Sequence, residues 1–271
     1  MAKKKRQVMR LMVRLDLLGV AGCGKSTIAR LVVKKGLTVS SSTASKRAAI
    51  RAYRITEEAG WKQRALLRIP VLREALLANR IEIGEKSAFA RFAAKYDAFL
   101  AIVHESFVLS GRSQYRRAEG YYHFLRTVRR IAFLEEWLED EAVLFDESLS
   151  QKVYAVMPWD WGNEAHAERY FEDMPLPTAL IHLDADADQV VRQVRERERA
   201  TGKLIPSHRG LGDDELLKHT EASLDIARIG AACLQARGCQ VLSLWASETP
   251  CVNAKKINNL LSKYAPGEGS V

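Results

Sequence analysis

The chain has 271 residues, of which 47% are hydrophobic and 28% charged, with a formal net charge of +9. That length buries a full core, as one large domain or as one domain with a sizeable insertion, and the composition is ordinary for a soluble globular protein. No apolar run approaches the ~18–20 residues of a membrane span, so no membrane partner is expected. "MAKKKRQVMRLM" has the positive start of a secretory signal but lacks a long apolar stretch and a small-residue cleavage site. Cys23, Cys233, Cys239 and Cys251 show no metal-type spacing. A disulfide framework is therefore not expected, and the setting reads as cytoplasmic and reducing. The positive charge suits a nucleic acid or another polyanion, or a surface that serves small anionic substrates.

The first predicted element is a short strand, Val13–Leu18, followed by "GVAGCGKS" from Gly19 to Ser26. This is a full match to the phosphate-binding loop G-x-x-x-x-G-K-[ST], set between an apolar strand and an amphipathic helix, "KSTIARLVVKKG", that Gly36 closes. Gly19, Gly22 and Gly24 permit backbone angles closed to other residues, so N–H groups at Gly22, Cys23 and Gly24 can form an anion cradle. The helix N-terminus adds its positive dipole end. Lys25 is expected to reach the β- and γ-phosphates of ATP, and Ser26 to offer its hydroxyl to Mg²⁺ with Thr27 beside it.

"LTVSSS" reads as a second, short strand, and then the pattern changes. Residues 43–140 carry helical spacing throughout. "ASKRAAIRAYRITEEAGWKQRALLRI" comes first; Pro70 breaks it or opens the next helix at "VLREALLANR". "KSAFARFAAKYDAFLAIVHESFVLSG" and "YYHFLRTVRRIAFLEEWLEDE" follow. This predicts a helical insertion at 43–140 within a core of residues 1–42 and 141–271, and the insertion is expected to bind the acceptor.

Strand character returns in "AVLFDES" (residues 142–148) and "ALIHLDAD" (179–186). The helices "DQVVRQVRERERATG" and "DDELLKHTEASLDIARIGAACLQARG", the strand "QVLSLWAS" and the helix "CVNAKKINNLLSKYA" complete the chain. Alternating strands and helices predict a parallel sheet of about five strands with helices on both faces, a three-layer α/β fold. Asp146 then stands at the C-terminal end of an apolar strand, where open α/β sheets place their ligand crevice. One of Asp146 and Glu147 is expected to orient Mg²⁺ and one to take the acceptor's proton. Asp184 reads as a cap or turn residue.

Arg192, Arg195 and Arg199 share a helical face by i, i+3 and i+4 spacing, with Arg197 elsewhere on the circle. Interleaved glutamates suit an ordinary solvated helix. The alternative is a lid over about residues 192–212 that closes on the nucleotide and offsets charge on the transferred group.

"GVAGCGKSTIARLV", "VLFDES", "LIHLDADADQVVRQVRERE" and "VLSLWASETP" resemble, in this order, the thymidylate-kinase-like and deoxynucleoside-kinase-like P-loop kinases. The resemblance covers roughly residues 11–42 and 141–265. It implies that Asp146 touches the acceptor site, that Arg192, Arg195, Arg197 and Arg199 supply the lid, and that residues 246–250 pack on adenine. The Asp146-Glu147 pair departs from the Asp-Arg pair of thymidylate kinases, and the insertion is longer and more helical than in a minimal nucleotide kinase.

Candidate acceptor contacts are Ser41, Arg47, Arg51, Arg54, Arg116, Arg117, Tyr121, Arg126, Glu147 and, in "MPWDWGN", Trp159 beside Asp160; for the arginines a solvated helix face is the plainer reading. His104, His123, His166 and His182 read as structural. The function expected is an ATP- and Mg²⁺-dependent kinase acting on a small molecule: a nucleoside, nucleotide, sugar or glycan precursor. A polynucleotide 5′-kinase, or a nucleotide-binding switch without catalysis, are the alternatives. Nucleic acid is compatible with the charge but not favoured, and a homodimer is compatible with the sequence.

Overall fold

A computed structural model describes residues 12–55, 70–157, 164–202, 204 and 206–264. The chain begins with β1 (Val13–Leu18), α1 (Lys25–Lys34) and β2 (Val39–Ser40). Among the described residues four helices follow: α2 (Ser41–Ile55), α3 (Pro70–Lys95), α4 (Asp97–Leu109) and α5 (Gln114–Trp137). Then come β3 (Ala142–Phe145), α6 (Leu149–Val156), α7 (Glu164–Asp173), β4 (Ala179–Asp184) and α8 (Ala187–Thr201). A 3₁₀ turn at Pro206–His208, α9 (Asp213–Ala236), β5 (Gln240–Trp245) and α10 (Pro250–Leu261) complete the order.

The five strands are parallel and lie in the order β2-β3-β1-β4-β5. Strand alternation sends Val143 and Phe145 to one face and Leu144 to the other, and each face has its own cluster of buried side chains. One cluster joins Leu18, Val143, Phe145 and Leu180 to α2 through α7. The other joins Leu15, Leu17, Ile181 and Leu183 to α1, α8 and α10. Helices therefore cover both faces, the α/β architecture expected from the alternating pattern.

β1 departs from an apolar strand in one respect. Arg14 and Asp16 alternate on one face and are both buried. Arg14 Nε lies 3.3 Å from Asp16 Oδ1, and another guanidinium nitrogen lies 2.7 Å from Glu135 of α5. Asp16 also accepts a 2.8 Å hydrogen bond from Ser150 Oγ of α6. Such a pair is tolerated in the interior only because each charge is compensated. It links the strand below the phosphate loop to the helices above it.

Three sequence expectations change. The second strand is shorter than read: it spans Val39–Ser40, and α2 starts at Ser41. "VLREALLANR" and "KSAFARFAAK" belong to one 26-residue helix, and the break falls at Tyr96, a residue with no breaker signature. The helices of the insertion pack into the buried cluster on one face of the sheet. Finally, α6 and α7 occupy the stretch between the acidic motif and β4, which carried no helix in the sequence reading.

Candidate active site

The phosphate loop connects the C-terminal end of β1 to α1. Gly22 (φ 101°) and Gly24 (φ 94°) take left-handed backbone conformations that side-chain-bearing residues rarely adopt. Gly19 is needed for a different reason, space: a Cβ there would sit 2.7 Å from the Leu183 carbonyl oxygen. Gly24 is the N-cap of α1, so the helix dipole points into the loop. Lys25 Nζ donates to the carbonyls of Gly19 (2.5 Å) and Val20 (2.6 Å), which holds the ammonium against the loop. The Cys23 side chain is buried beneath, its Sγ 3.9 Å from that ammonium.

The loop forms one wall of a cavity of about 880 Å³, within the range of small-molecule sites, roughly 300–1,000 Å³. Gly22, Gly24, Lys25, Ser26 and Thr27 line it, and so do Asp146 and Glu147 at the end of β3. Parallel pairing of β1 with β3 brings the acids to the loop, since both strands end on the same edge. Asp146 is exposed to the cavity and has no ion pair among the described residues. Glu147 is bound to Lys152, 2.5 Å away. Ser148 caps α6 by accepting from the Gln151 N–H.

The arginines of α8 sort differently from the expectation. Arg197 lines the cavity together with Gln193, one turn earlier. Arg192, Arg195 and Arg199 do not line it. Arg195 is held by Asp213 (2.7 Å), Glu198 (2.9 Å) and the Leu211 carbonyl (2.7 Å), so it fastens the segment after α8 to that helix. Helix geometry explains the sorting. Val190 and Val194 are the buried stripe of α8, and Gly22 packs against both. At about 100° per residue, Arg197 points within roughly 20° of Val190, while Arg192 and Arg199 point to the far side.

The acceptor contacts also divide. Arg51 pairs with Glu139 and Arg47 with Glu141, both just ahead of β3 and so at the opposite end of that strand from Asp146. α2 runs away from the site, which removes both arginines from it. Arg117 turns to the Val108 carbonyl at 3.3 Å, and Ser41 does not line the cavity. Arg116 does line it, with Arg112 ahead of α5 and Glu119, Gly120 and His123 along its inner face. Trp159 lies outside the described residues, as does the Arg54 side chain. Residues 246–250 do not line the cavity; there Thr249 caps α10, accepting from the Val252 N–H.

Several cavity residues had no place in the sequence reading: Arg112, Gln151, Lys152, Tyr154, His208 and His219. Most sit on α6 or after α8, where no motif marks them. Burial, with smaller contributions from His219 and Arg195, pushes the His208 pKa down to about 4. Burial also lowers His219, whose ring centre lies 5.3 Å from that of His208. His166 and His182 are buried and lowered in pKa for the same reason; His166 shares a 2.6 Å hydrogen bond with Ser106, in keeping with a structural role. Asp184 accepts from the Ala185 N–H (2.9 Å) and pairs with Arg228.

The site fits a nucleotide and Mg²⁺. The left-handed glycines, the helix N-terminus and Lys25 suit phosphate oxygens. Among the described residues no three His, Cys, Asp or Glu side chains converge as a metal cage. Mg²⁺ commonly needs only one or two carboxylates beside phosphate oxygens and water, which Ser26 and Asp146 match in kind. Five parallel strands with helices on both faces are the three-layer α/β arrangement expected from the sequence.

No protein-family model matches the chain. No curated protein matches it either. Among solved structures the chain is similar to EHV4-TK, a herpesvirus thymidine kinase, in its crystal structure complexed with TP4A. The two share 16% identity over 93% of this chain and 91% of that one, with a TM-score of 0.34. Among the described residues no helix is long and apolar enough to cross a membrane.

Proposed function

We propose that the chain is an ATP- and Mg²⁺-dependent kinase that transfers the γ-phosphoryl group to a small-molecule acceptor. The observation that carries this reading is the meeting of the Gly19–Ser26 loop with Asp146 and Glu147 in one cavity.

Lys25 leaves the loop carbonyls to reach the β- and γ-phosphates. Ser26 and Asp146 would hold Mg²⁺, which neutralises donor phosphate charge. The acceptor hydroxyl oxygen bonds to the γ-phosphorus as the bond to the β–γ bridging oxygen breaks. ADP keeps that electron pair, and the hydroxyl proton passes to the Asp146–Glu147 carboxylates. Arg197, from the far wall, offsets charge on the group in flight. The segment from α8 through the 3₁₀ turn acts as the lid, fastened by Arg195, and the first turns of α5, with Arg112 ahead of them, form the acceptor wall.

A nucleic-acid substrate is less well supported. Lys46, Arg47, Arg91, Arg169 and Arg228 each pair with a carboxylate, which breaks up a continuous basic track. An ADP-release screen over nucleosides, nucleotides, sugars and sugar phosphates tests the proposal. Release that depends on one added small acceptor supports it. ADP binding without acceptor-dependent release would leave the nucleotide switch as the better reading.

A further inference from the structure

The two acids at the end of β3 stand in different surroundings. Asp146 lines the cavity and forms no ion pair or side-chain hydrogen bond among the described residues. Glu147 lines it too, but its Oε2 lies 2.5 Å from Lys152 Nζ.

The partners in that pair are unequal. The Lys152 side chain is 14% exposed and the Glu147 side chain 68%. The lysine stem is packed, so it is the carboxylate that comes to the ammonium. Lys152 closes the first turn of α6, where its N–H donates to the Ser148 carbonyl at 3.1 Å. The two residues before it hold that turn against β1 and the phosphate loop. Ser150 Oγ donates to Asp16 at 2.8 Å, and Gln151 accepts from the Gly19 N–H at 3.3 Å. The ammonium therefore has a set place beside the loop, and it holds Glu147 there.

Mg²⁺ that serves a nucleotide needs one or two carboxylates. An ammonium in direct contact opposes a second cation on the same carboxylate, by its charge and by occupying the oxygen. Asp146 meets no such competitor among the described residues.

From this asymmetry we propose that Lys152 is a positioning residue that reserves Glu147 from Mg²⁺, so that Asp146 alone of the two acids meets the metal. The inference rests on the kinase reading for its nucleotide and its metal, and it decides between two carboxylates that the motif leaves equivalent.

The test is the affinity of the full chain for β,γ-imido ATP, titrated once with Mg²⁺ and once with EDTA. The ratio of the two affinities is the enhancement due to the metal, and no acceptor is needed to read it. Asp146→Asn should lower the enhancement by about tenfold or more. Glu147→Gln should change it by less than about twofold while Lys152 is present, and by about fivefold or more in a Lys152→Met or Lys152→Gln background, where Glu147 is released. Lys152→Arg should behave as the native chain. Binding in EDTA shows that each variant keeps a folded loop, and an ion pair with a purely structural role would leave the enhancement the same in every Lys152 background. An enhancement that falls as far with Glu147→Gln as with Asp146→Asn in the presence of Lys152 overturns the proposal. So does an enhancement indifferent to Asp146→Asn, or to Glu147→Gln in both backgrounds. If β,γ-imido ATP binds the native chain neither with Mg²⁺ nor without it, the kinase reading itself fails and the inference falls with it.

Discussion

Gln151 Oε1 accepts a hydrogen bond from the backbone N–H of Gly19, 3.3 Å away, and so ties α6 to the first residue of the phosphate loop. The neighbouring Ser150 is bonded to Asp16 within β1. The acidic motif directly precedes this helix. Its position relative to the donor phosphates therefore depends on two adjacent side chains, one reaching the loop and one reaching the core.

Gln151→Ala is expected to lower kcat by about tenfold with little change in ADP affinity, because it loosens the acids relative to the loop. Gln151→Glu should be worse, since it sets a carboxylate against the donor phosphates. Steady-state kinetics beside ADP titrations check both. A change confined to ADP affinity would argue against a positioning role.

The two arginines of α8 should separate cleanly. Arg197→Ala removes a cation from the cavity and should cost about 10²–10³ in kcat. Arg195→Ala breaks ion pairs with Asp213 and Glu198 and should cost at most about 1 kcal/mol of stability, with kcat close to native. Measured kcat and urea midpoints for the two variants decide the assignment; the reverse pattern would restore Arg195 as the lid cation.

Asp16 compensates a guanidinium that is itself almost fully buried. Asp16→Ala leaves that charge poorly paired and frees the Ser150 hydroxyl. Loss of about 3–5 kcal/mol is expected from urea unfolding. A loss below about 1 kcal/mol would mean that Glu135 alone satisfies Arg14.

Stability should fall with acid through the buried histidines. His208 has a folded-state pKa of about 4, below the ~6.5 of an unfolded chain. Between these values the unfolded state binds more protons, so stability rises with pH there. The contribution is complete above pH ~6.5 and is lost as pH falls toward ~4, by no more than about 3 kcal/mol. His166, His182 and His219 shift in the same direction. Urea midpoints at pH 7.5 and 5 should differ, and His208→Asn should narrow the gap; an unchanged gap would show that His208 is not involved.

Much of the site was legible because motif residues carry their own geometry. The glycines of the loop, Lys25, Ser26 and the acid at the end of an apolar strand follow from backbone conformation and strand termini. The inward arginine was also legible, but only by measuring each one against Val190 and Val194 rather than against one another. Arg47 and Arg51 misled because residue type says nothing of helix direction: α2 carries them to the far end of β3. The unbroken helix through Gly84 was hidden for a different reason, since its packing on Phe133 of α5 is a tertiary contact. Arg112 and Gln151 had no motif at all. Their roles exist only once α6 stands between the loop and α5.

The most direct test is transfer of labelled γ-phosphate from ATP to acceptors in the presence of Mg²⁺, for the native chain and for Lys25→Ala. The account predicts an acceptor-dependent labelled product from the native chain. Lys25→Ala should lower the rate by at least about 10²-fold while its circular dichroism and urea midpoint stay native. Undiminished transfer by a folded Lys25→Ala variant, or no labelled product from the native chain with any acceptor while ATP binds at the loop, would contradict it.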